Sequence, residues 1–289
     1  MNFKIDKSLW KLHFSVAMFG ITGLFAKFVT LSAVMIVFGR CFFAALVLFL
    51  ALKMLKSDFK FENRKDLFVV IGTGVLIGIA WFCFFQSIKV STVAVGLLGY
   101  TTIAIFTTFL EPIYFKTKIR FLDIILAAVT FYGITLLVHK THGVQGNALL
   151  GIFFSLTAAF IGSLFIIFSR GLVKKYSSIK ITFYQYSTVA IMGLFFFIPE
   201  APKISIDNLL LIIILGIVFT AFANTLFIDC LKKITATKAN IILTLEPVYG
   251  IILAAIILSE TPSRRTVIGG AIILLCAVTA TATHKKESL

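Results

Sequence analysis

A chain of 289 residues that is 60% hydrophobic, with 32 Phe and a mean hydropathy of +1.05, has too little polar surface for a water-soluble domain. The formal charge of +15 would suit nucleic acid in a soluble protein. Here the basic residues stand between apolar segments, which excludes nucleic acid as a partner, and those segments are long and uninterrupted, which excludes an outer-membrane barrel.

A crossing helix needs roughly 20 mainly apolar residues, and ten stretches qualify: about 9–31, 33–52, 66–88, 91–115, 120–139, 147–170, 180–198, 207–230, 236–258 and 265–283. Lys11 leads into the first, and no small-residue cleavage pattern comes after it, so it is expected to stay as a helix rather than be lost as a signal peptide. It begins with Trp10, an interfacial-belt residue by position, and carries Gly20, Gly23 and Lys27. Lys27 lies near the outer end, where its stem can snorkel to the interface or its charge can stand at a cavity entrance. The second stretch places Arg40 about seven residues from its start, too deep for simple snorkelling; it can fix the bundle or attract an anionic group. The third holds Gly74 and Gly78 at close-packing spacing, then Trp81; the fourth holds Tyr100. Trp81 and Tyr100 suit either packing or the aromatic walls of a cavity that takes an amine. His139 and His142 follow the fifth stretch in H-x-x-H spacing, but without an acid or Cys, so no metal is expected. Cys41, Cys83, Cys230 and Cys276 lack C-x-x-C spacing and read as small packing residues.

The eighth and ninth stretches are the most polar inside. Asn224, Asn240 and Thr244 are hydrogen-bonding groups at depth, and Asn240, Thr244 and Pro247 share one helical face. They can line a wet cavity or bond to neighbouring helices. Glu246 lies about ten residues from either end of its stretch, hence roughly 15 Å deep at 1.5 Å per residue. An acid at that depth is a functional candidate by default; it can couple to substrate or protons, or serve as a structural acid paired with Arg40. Pro247 is expected to kink the helix and free a carbonyl of the preceding turn. The last stretch carries Gly269-Gly270. The loops are short, the longest near 53–65 and 199–206, with no room for a soluble catalytic domain.

Basic residues sort by side. Twenty of the 27 fall at ends facing one side, five face the other, and Lys27 and Arg40 lie inside segments. By the positive-inside rule both termini are cytoplasmic and the crossings even in number. The chain also repeats itself: Ile36-Val37-Phe38-Gly39-Arg40 returns as Ile181-Thr182-Phe183-Tyr184-Gln185, and Lys89-Val90-Ser91 as Lys233-Ile234-Thr235, a period of half the protein. Five crossings per half invert the second copy, a signature of alternating-access carriers. The predicted fold is an all-α polytopic membrane protein of ten transmembrane helices, two inverted five-helix repeats over 1–142 and 143–289, N-in and C-in.

Leu245-Glu246-Pro247-Val248-Tyr249, then Glu260 and Gly269-Gly270-Ala271, resemble the second repeat of EamA-type members of the drug/metabolite transporter superfamily. Gly20 and Lys27, seven apart, and Arg40 agree with its first repeat, so the resemblance spans the chain. It implies a cavity between the repeats lined mainly by spans one, three, four, six, eight and nine, and transport of small polar metabolites, often export of amino acids or related compounds. The halves differ where Glu246-Pro247 faces Thr102-Ile103, and where Glu260 has Lys116-Thr117 as counterpart, so a proline hinge is expected in span nine alone.

The function expected is secondary transport, in the cytoplasmic membrane, of a small polar metabolite, most simply export of amino acids or related compounds. Uptake or exchange of a nucleotide-like or nucleobase metabolite is the alternative, with Arg40 and Lys27 meeting an anion. A non-transporting sensor or an intramembrane enzyme is the reading from other classes, and no catalytic pattern supports an enzyme. Expected partners are a small-molecule substrate and the lipid bilayer; protons and a second copy in a homodimer are left open. No cofactor is implied.

Overall fold

The computed structural model describes residues 7–115, 121–137, 147–200, 204–234, 239 and 242–284. Among these, every regular element is helical: α1 (Lys7–Phe28), α2 (Ala33–Met54), α3 (Arg64–Val90), α4 (Val93–Tyr100), α5 (Ile103–Phe115), α6 (Phe121–Leu137), α7 (Ala148–Val173), α8 (Ser178–Glu200), α9 (Ile206–Ile214), a π-helical segment (Leu215–Phe222), α10 (Ala223–Cys230), α11 (Glu246–Ile257) and α12 (Arg264–His284). Short polar residues start these helices. Ser32, Asn63, Thr92, Asn147 and Ser205 each accept a first-turn N–H, from Met35, Lys65, Val95, Leu150 and Asn208, satisfying donors that a helix leaves unpaired.

Among the described residues, six helical stretches are long and apolar enough to cross a bilayer, and Ile124–Ile134 and Glu246–Ile257 are shorter apolar helices. Their outward faces are apolar: Trp10, Met54, Phe68, Ile256 and Leu275 are each more than 60% exposed. Such a surface in water would aggregate; in lipid it is solvated.

Packing follows the repeat. α2 lies along α8, its own counterpart in the second half, and α6 along α12. α3 packs along α7, while the counterparts of that pair, the Ile206–Cys230 stretch and α1, pack on each other. Gly74 and Gly78 serve close approach as expected, since a Cβ on Gly74 would lie 2.8 Å from the Gln185 carbonyl and one on Gly78 3.1 Å from Val189.

Among the described residues, two expected spans are not continuous helices. The ninth turns at Thr244-Leu245 before α11, with Leu245 N–H bonding three residues back to Ile242 O at 3.0 Å. Pro247 sits in the first turn of α11 rather than inside a kinked helix. It lacks the N–H that would have reached the Leu243 carbonyl. The fourth breaks as well, at Thr101-Thr102, although no proline stands there. The hydroxyls of Thr101 and Thr102 donate to Leu97 O (2.9 Å) and Gly99 O (2.8 Å), and the Thr102 N–H bonds to Gly99 O at 3.2 Å. Side-chain competition for helix carbonyls tightens the turn. Span nine is thus not alone in being interrupted, although the break in span four has no proline. A proline does occur in the first half: Pro112 lies within α5, in Leu110-Glu111-Pro112-Ile113-Tyr114, a displaced copy of the 245–249 string, where Glu111 pairs with Arg170 at 3.1 Å.

Candidate functional site

The interruptions bring Tyr100 and Glu246 to one buried cavity. Arg40 from α2, Trp81 from α3, Asn224 from α10 and Thr22 from α1 join them, and Phe19, Phe84, Phe165 and Phe227 supply most of the remaining wall. Its volume is about 50 Å³, room for only a few waters at roughly 10–15 Å³ each. A metabolite enters only if the surrounding helices part.

Arg40 is 2% exposed. Its Nε donates to Thr220 Oγ1 at 2.7 Å, and its guanidinium lies 4.0 Å from the Trp81 ring centroid and 5.4 Å from that of Phe85. A guanidinium has five N–H donors, so the bond to Thr220 leaves its terminal nitrogens for an anionic group. Trp81 in turn stacks on Tyr186, centroids 5.6 Å apart. The cation position over Trp81 is thus taken by Arg40, where sequence reasoning considered a substrate amine.

Thr220 stands where it does because of the π-helical segment. Its hydroxyl donates five residues back to Leu215 O at 2.7 Å, and Asn224 Nδ2 reaches five back to Phe219 O at 3.1 Å. The wider π turn is accommodated by these side chains, and such bulges recur at functional sites. Gly216 permits the approach to α2, since a Cβ there would lie 2.8 Å from Arg40 O.

Glu246 is 5% exposed and opens α11, where the helix dipole favours a negative charge. α11 is held against α1 by close backbone approach: a Cβ on Gly20 would fall 2.7 Å from Tyr249 Cβ and 3.0 Å from Glu246 O. Among the described residues no ion pair within 4.0 Å joins Arg40 to Glu246. The direct structural pairing considered from sequence is not formed, and both charges face the same cavity. A buried acid and base kept apart are costly without water or a ligand between them.

Lys27 is elsewhere. Its Nζ donates to Ser91 O at 2.9 Å and lies 3.4 Å from Glu260 Oε1, while Glu260 Oε2 accepts the Val93 N–H at 3.0 Å. This clasp ties α1 to the start of α4 and the α11–α12 loop, which corrects the expectation of snorkelling. Thr244 lines a second, smaller recess with Tyr100, Thr101 and Pro247, beside the main cavity. Asn240, His139 and His142 lie outside the described residues. The structure thus gathers Arg40, Trp81, Tyr100, Asn224 and Glu246, and leaves Lys27 and Thr244 off the main cavity's wall. Sequence reasoning missed Thr22 and Thr220. Thr220 carried one usable signal, its spacing of four from Asn224, which puts both on one helical face.

Apolar helices with a lipid-compatible exterior, around a small cavity whose mainly apolar wall holds a few charged and polar groups, define a multi-pass helical membrane protein. The chain belongs to the EamA-like transporter family, whose family model matches residues 9–139 and again 149–281, and so to the drug/metabolite transporter superfamily. It is 23% identical over 269 residues to the uncharacterized transporter YxxF of Bacillus subtilis (strain 168), covering 90% of this chain and 84% of that protein. An uncharacterized transporter of Archaeoglobus fulgidus is 24% identical over 220 residues, covering 73% of this chain and 76% of its own. One solved crystal structure superposes with a TM-score of 0.69 at 16% identity, covering 95% of this chain and 96% of that one, a likeness of fold.

Proposed function

We propose that the protein is a secondary carrier that exports a small zwitterionic metabolite, of amino-acid type, across the cytoplasmic membrane by alternating access. In this reading residues 1–142 and 143–289 are inverted five-helix repeats with ten crossings, and both termini are cytoplasmic. The carrying observation is a fixed cation, Arg40, and a fixed acid, Glu246, on the wall of one buried cavity without pairing to each other. Arg40 takes the substrate carboxylate, Glu246 its ammonium, and Asn224 and Tyr100 orient the body. When substrate leaves, a proton on Glu246 can replace the lost positive charge, which couples flux to the proton gradient.

Polar clasps at both ends support alternating closure. At one end stand Lys27–Glu260, the Lys89 Nζ bond to Val29 O (3.0 Å) and the Asn208 Nδ2 bond to Thr30 Oγ1 (2.8 Å). At the other, Asp229 lies 3.6 Å from Lys11 and 2.8 Å from Lys232, and Arg170 pairs with Glu111. These bonds are few and partly exposed, and so open at modest cost. The nucleotide-like alternative loses one of its two cations, because Lys27 is engaged in the clasp.

The test is counterflow of labelled neutral amino acids into proteoliposomes holding the purified chain. Unlabelled amino acids should compete and nucleobases should not. Glu246→Gln should keep exchange measurable but abolish accumulation driven by a proton gradient. Full gradient-driven transport by that variant sinks the coupling role, and competition by nucleobases alone sinks the substrate class.

A further inference from the structure

Outside the cavity, an apolar groove of about 340 Å³ lies between α2 and α8. Phe42, Leu46 and Phe49 line one wall, and Phe183, Ala190 and Leu194 the other. Phe42, Leu46 and Leu194 are 45–50% exposed, so the groove opens outward. On α2 the stripe continues at the same spacing to Lys53, whose Nζ lies 4.6 Å from the Phe49 ring centroid. From Phe42 to Lys53 the helix rises about 16 Å, close to the roughly 15 Å depth of one leaflet's hydrocarbon.

The lysine end is a built feature. Phe59, in the loop after α2, packs on Phe49 at 5.8 Å and on Phe183 at 5.9 Å, closing the groove beneath Lys53. The loop is pinned to α8: Lys180 Nζ donates to Lys60 O and lies 4.7 Å from the Phe61 centroid, and Tyr184 donates to Phe59 O at 2.9 Å. Residues 53–65 hold five basic residues, Lys53, Lys56, Lys60, Arg64 and Lys65, against the acids Asp58 and Glu62. Among the described residues Lys53 has no carboxylate within 4.0 Å, and the carboxylate of Asp58 accepts the Lys60 N–H at 2.9 Å. An excess of cations at the mouth of a one-leaflet apolar groove fits a negatively charged head on an acyl chain.

We propose that the α2–α8 groove binds one acyl chain of an anionic glycerophospholipid from the leaflet at the lysine-rich end, with Lys53 on its phosphate. The site is separate from the central cavity and stands whether or not the transport reading does. A lipid seated there bridges the two counterpart helices, so its occupancy reports on their separation.

The test is native mass spectrometry and thermal unfolding of the full chain, delipidated in detergent and titrated with phosphatidylglycerol or with phosphatidylcholine of the same chains. Phosphatidylglycerol should bind and stabilise more strongly. Lys53→Gln should weaken its binding about five-fold, the value of one lysine near an anionic headgroup, and weaken phosphatidylcholine, whose choline already neutralises its phosphate, by less; Lys53→Arg should keep phosphatidylglycerol binding. Ala190→Leu, which fills the groove, should weaken both lipids. Equal binding of the two lipids by the unmodified protein, or unchanged phosphatidylglycerol affinity in Lys53→Gln, overturns the proposal. So does equal stabilisation by glycerol phosphate without chains, or a dimer that Ala190→Leu dissociates, which would give the groove to a second copy.

Discussion

Replacing Thr220 by Val removes one hydroxyl at nearly constant volume, and that hydroxyl holds Arg40 in place. Arg40 Nε would lose its 2.7 Å acceptor in a site where the residue is only 2% exposed. A hydrogen bond to a charged group contributes about 1.5–3 kcal/mol, and an abandoned buried donor costs in the same range. Leu215 O would also lose the 2.7 Å bond that accompanies the π turn, about 1 kcal/mol more. Thr220→Ser keeps both bonds and loses only a methyl, so the Val-minus-Ser difference isolates them. We expect Thr220→Val to be about 2–4 kcal/mol less stable than Thr220→Ser in detergent unfolding. If half of that loss appears as misplacement of Arg40, substrate affinity should fall roughly ten-fold, at 1.4 kcal/mol per decade. Equal stability and equal affinity for the Val and Ser variants would refute the claim that Thr220 positions Arg40.

Gly20→Val should prise α11 from α1, because its Cβ alone meets Tyr249 Cβ at 2.7 Å; overpacking of this kind costs about 1–3 kcal/mol, read as a lowered midpoint of thermal unfolding. Lys27→Glu should break the clasp on Glu260 and shift the accessibility of cysteines placed at that end. The exchange Lys27→Glu with Glu260→Lys should recover part of the effect, on the order of 1 kcal/mol of coupling. Pro247→Ala restores an N–H that can reach Leu243 O, about 1 kcal/mol, but frees the unfolded chain by a similar amount, so transport should slow while stability changes by less than about 1 kcal/mol; faster transport would argue against the interruption as a working joint.

Much of this arrangement is readable in the amino-acid sequence. Arg40, Trp81, Tyr100, Asn224 and Glu246 stand out there because polar and aromatic groups deep in apolar stretches have to meet one another or water. What stayed hidden depended on backbone detail. The π turn at Leu215–Phe222 has no proline, and it is accompanied by two i−5 side-chain bonds that compete with ordinary helix geometry. The break at Thr101-Thr102 is likewise made by hydroxyls, which elsewhere in this chain, as at Thr107 and Thr108, bond back without interrupting the helix. The clasp of Lys27 is not legible in the same way, because its partner, Glu260, lies 233 positions away and periodicity along one helix cannot show it.

The mirrored packing, α3 on α7 and α1 on the Ile206–Cys230 stretch, has a thermodynamic consequence. If the two accessible states are related by exchanging the roles of the halves, apolar surface uncovered on one side is matched by surface covered on the other, and bulk packing cancels from their difference. The equilibrium constant is then set by the places that have no equal mate. Arg40 bonded to Thr220 faces, in the other half, the uncharged Gln185 bonded to Thr73 at 3.0 Å and Ser169 at 3.1 Å. A few polar residues would thus bias a switch whose mechanical parts are balanced, and changes at Arg40 and at Gln185 would tip it in opposite directions.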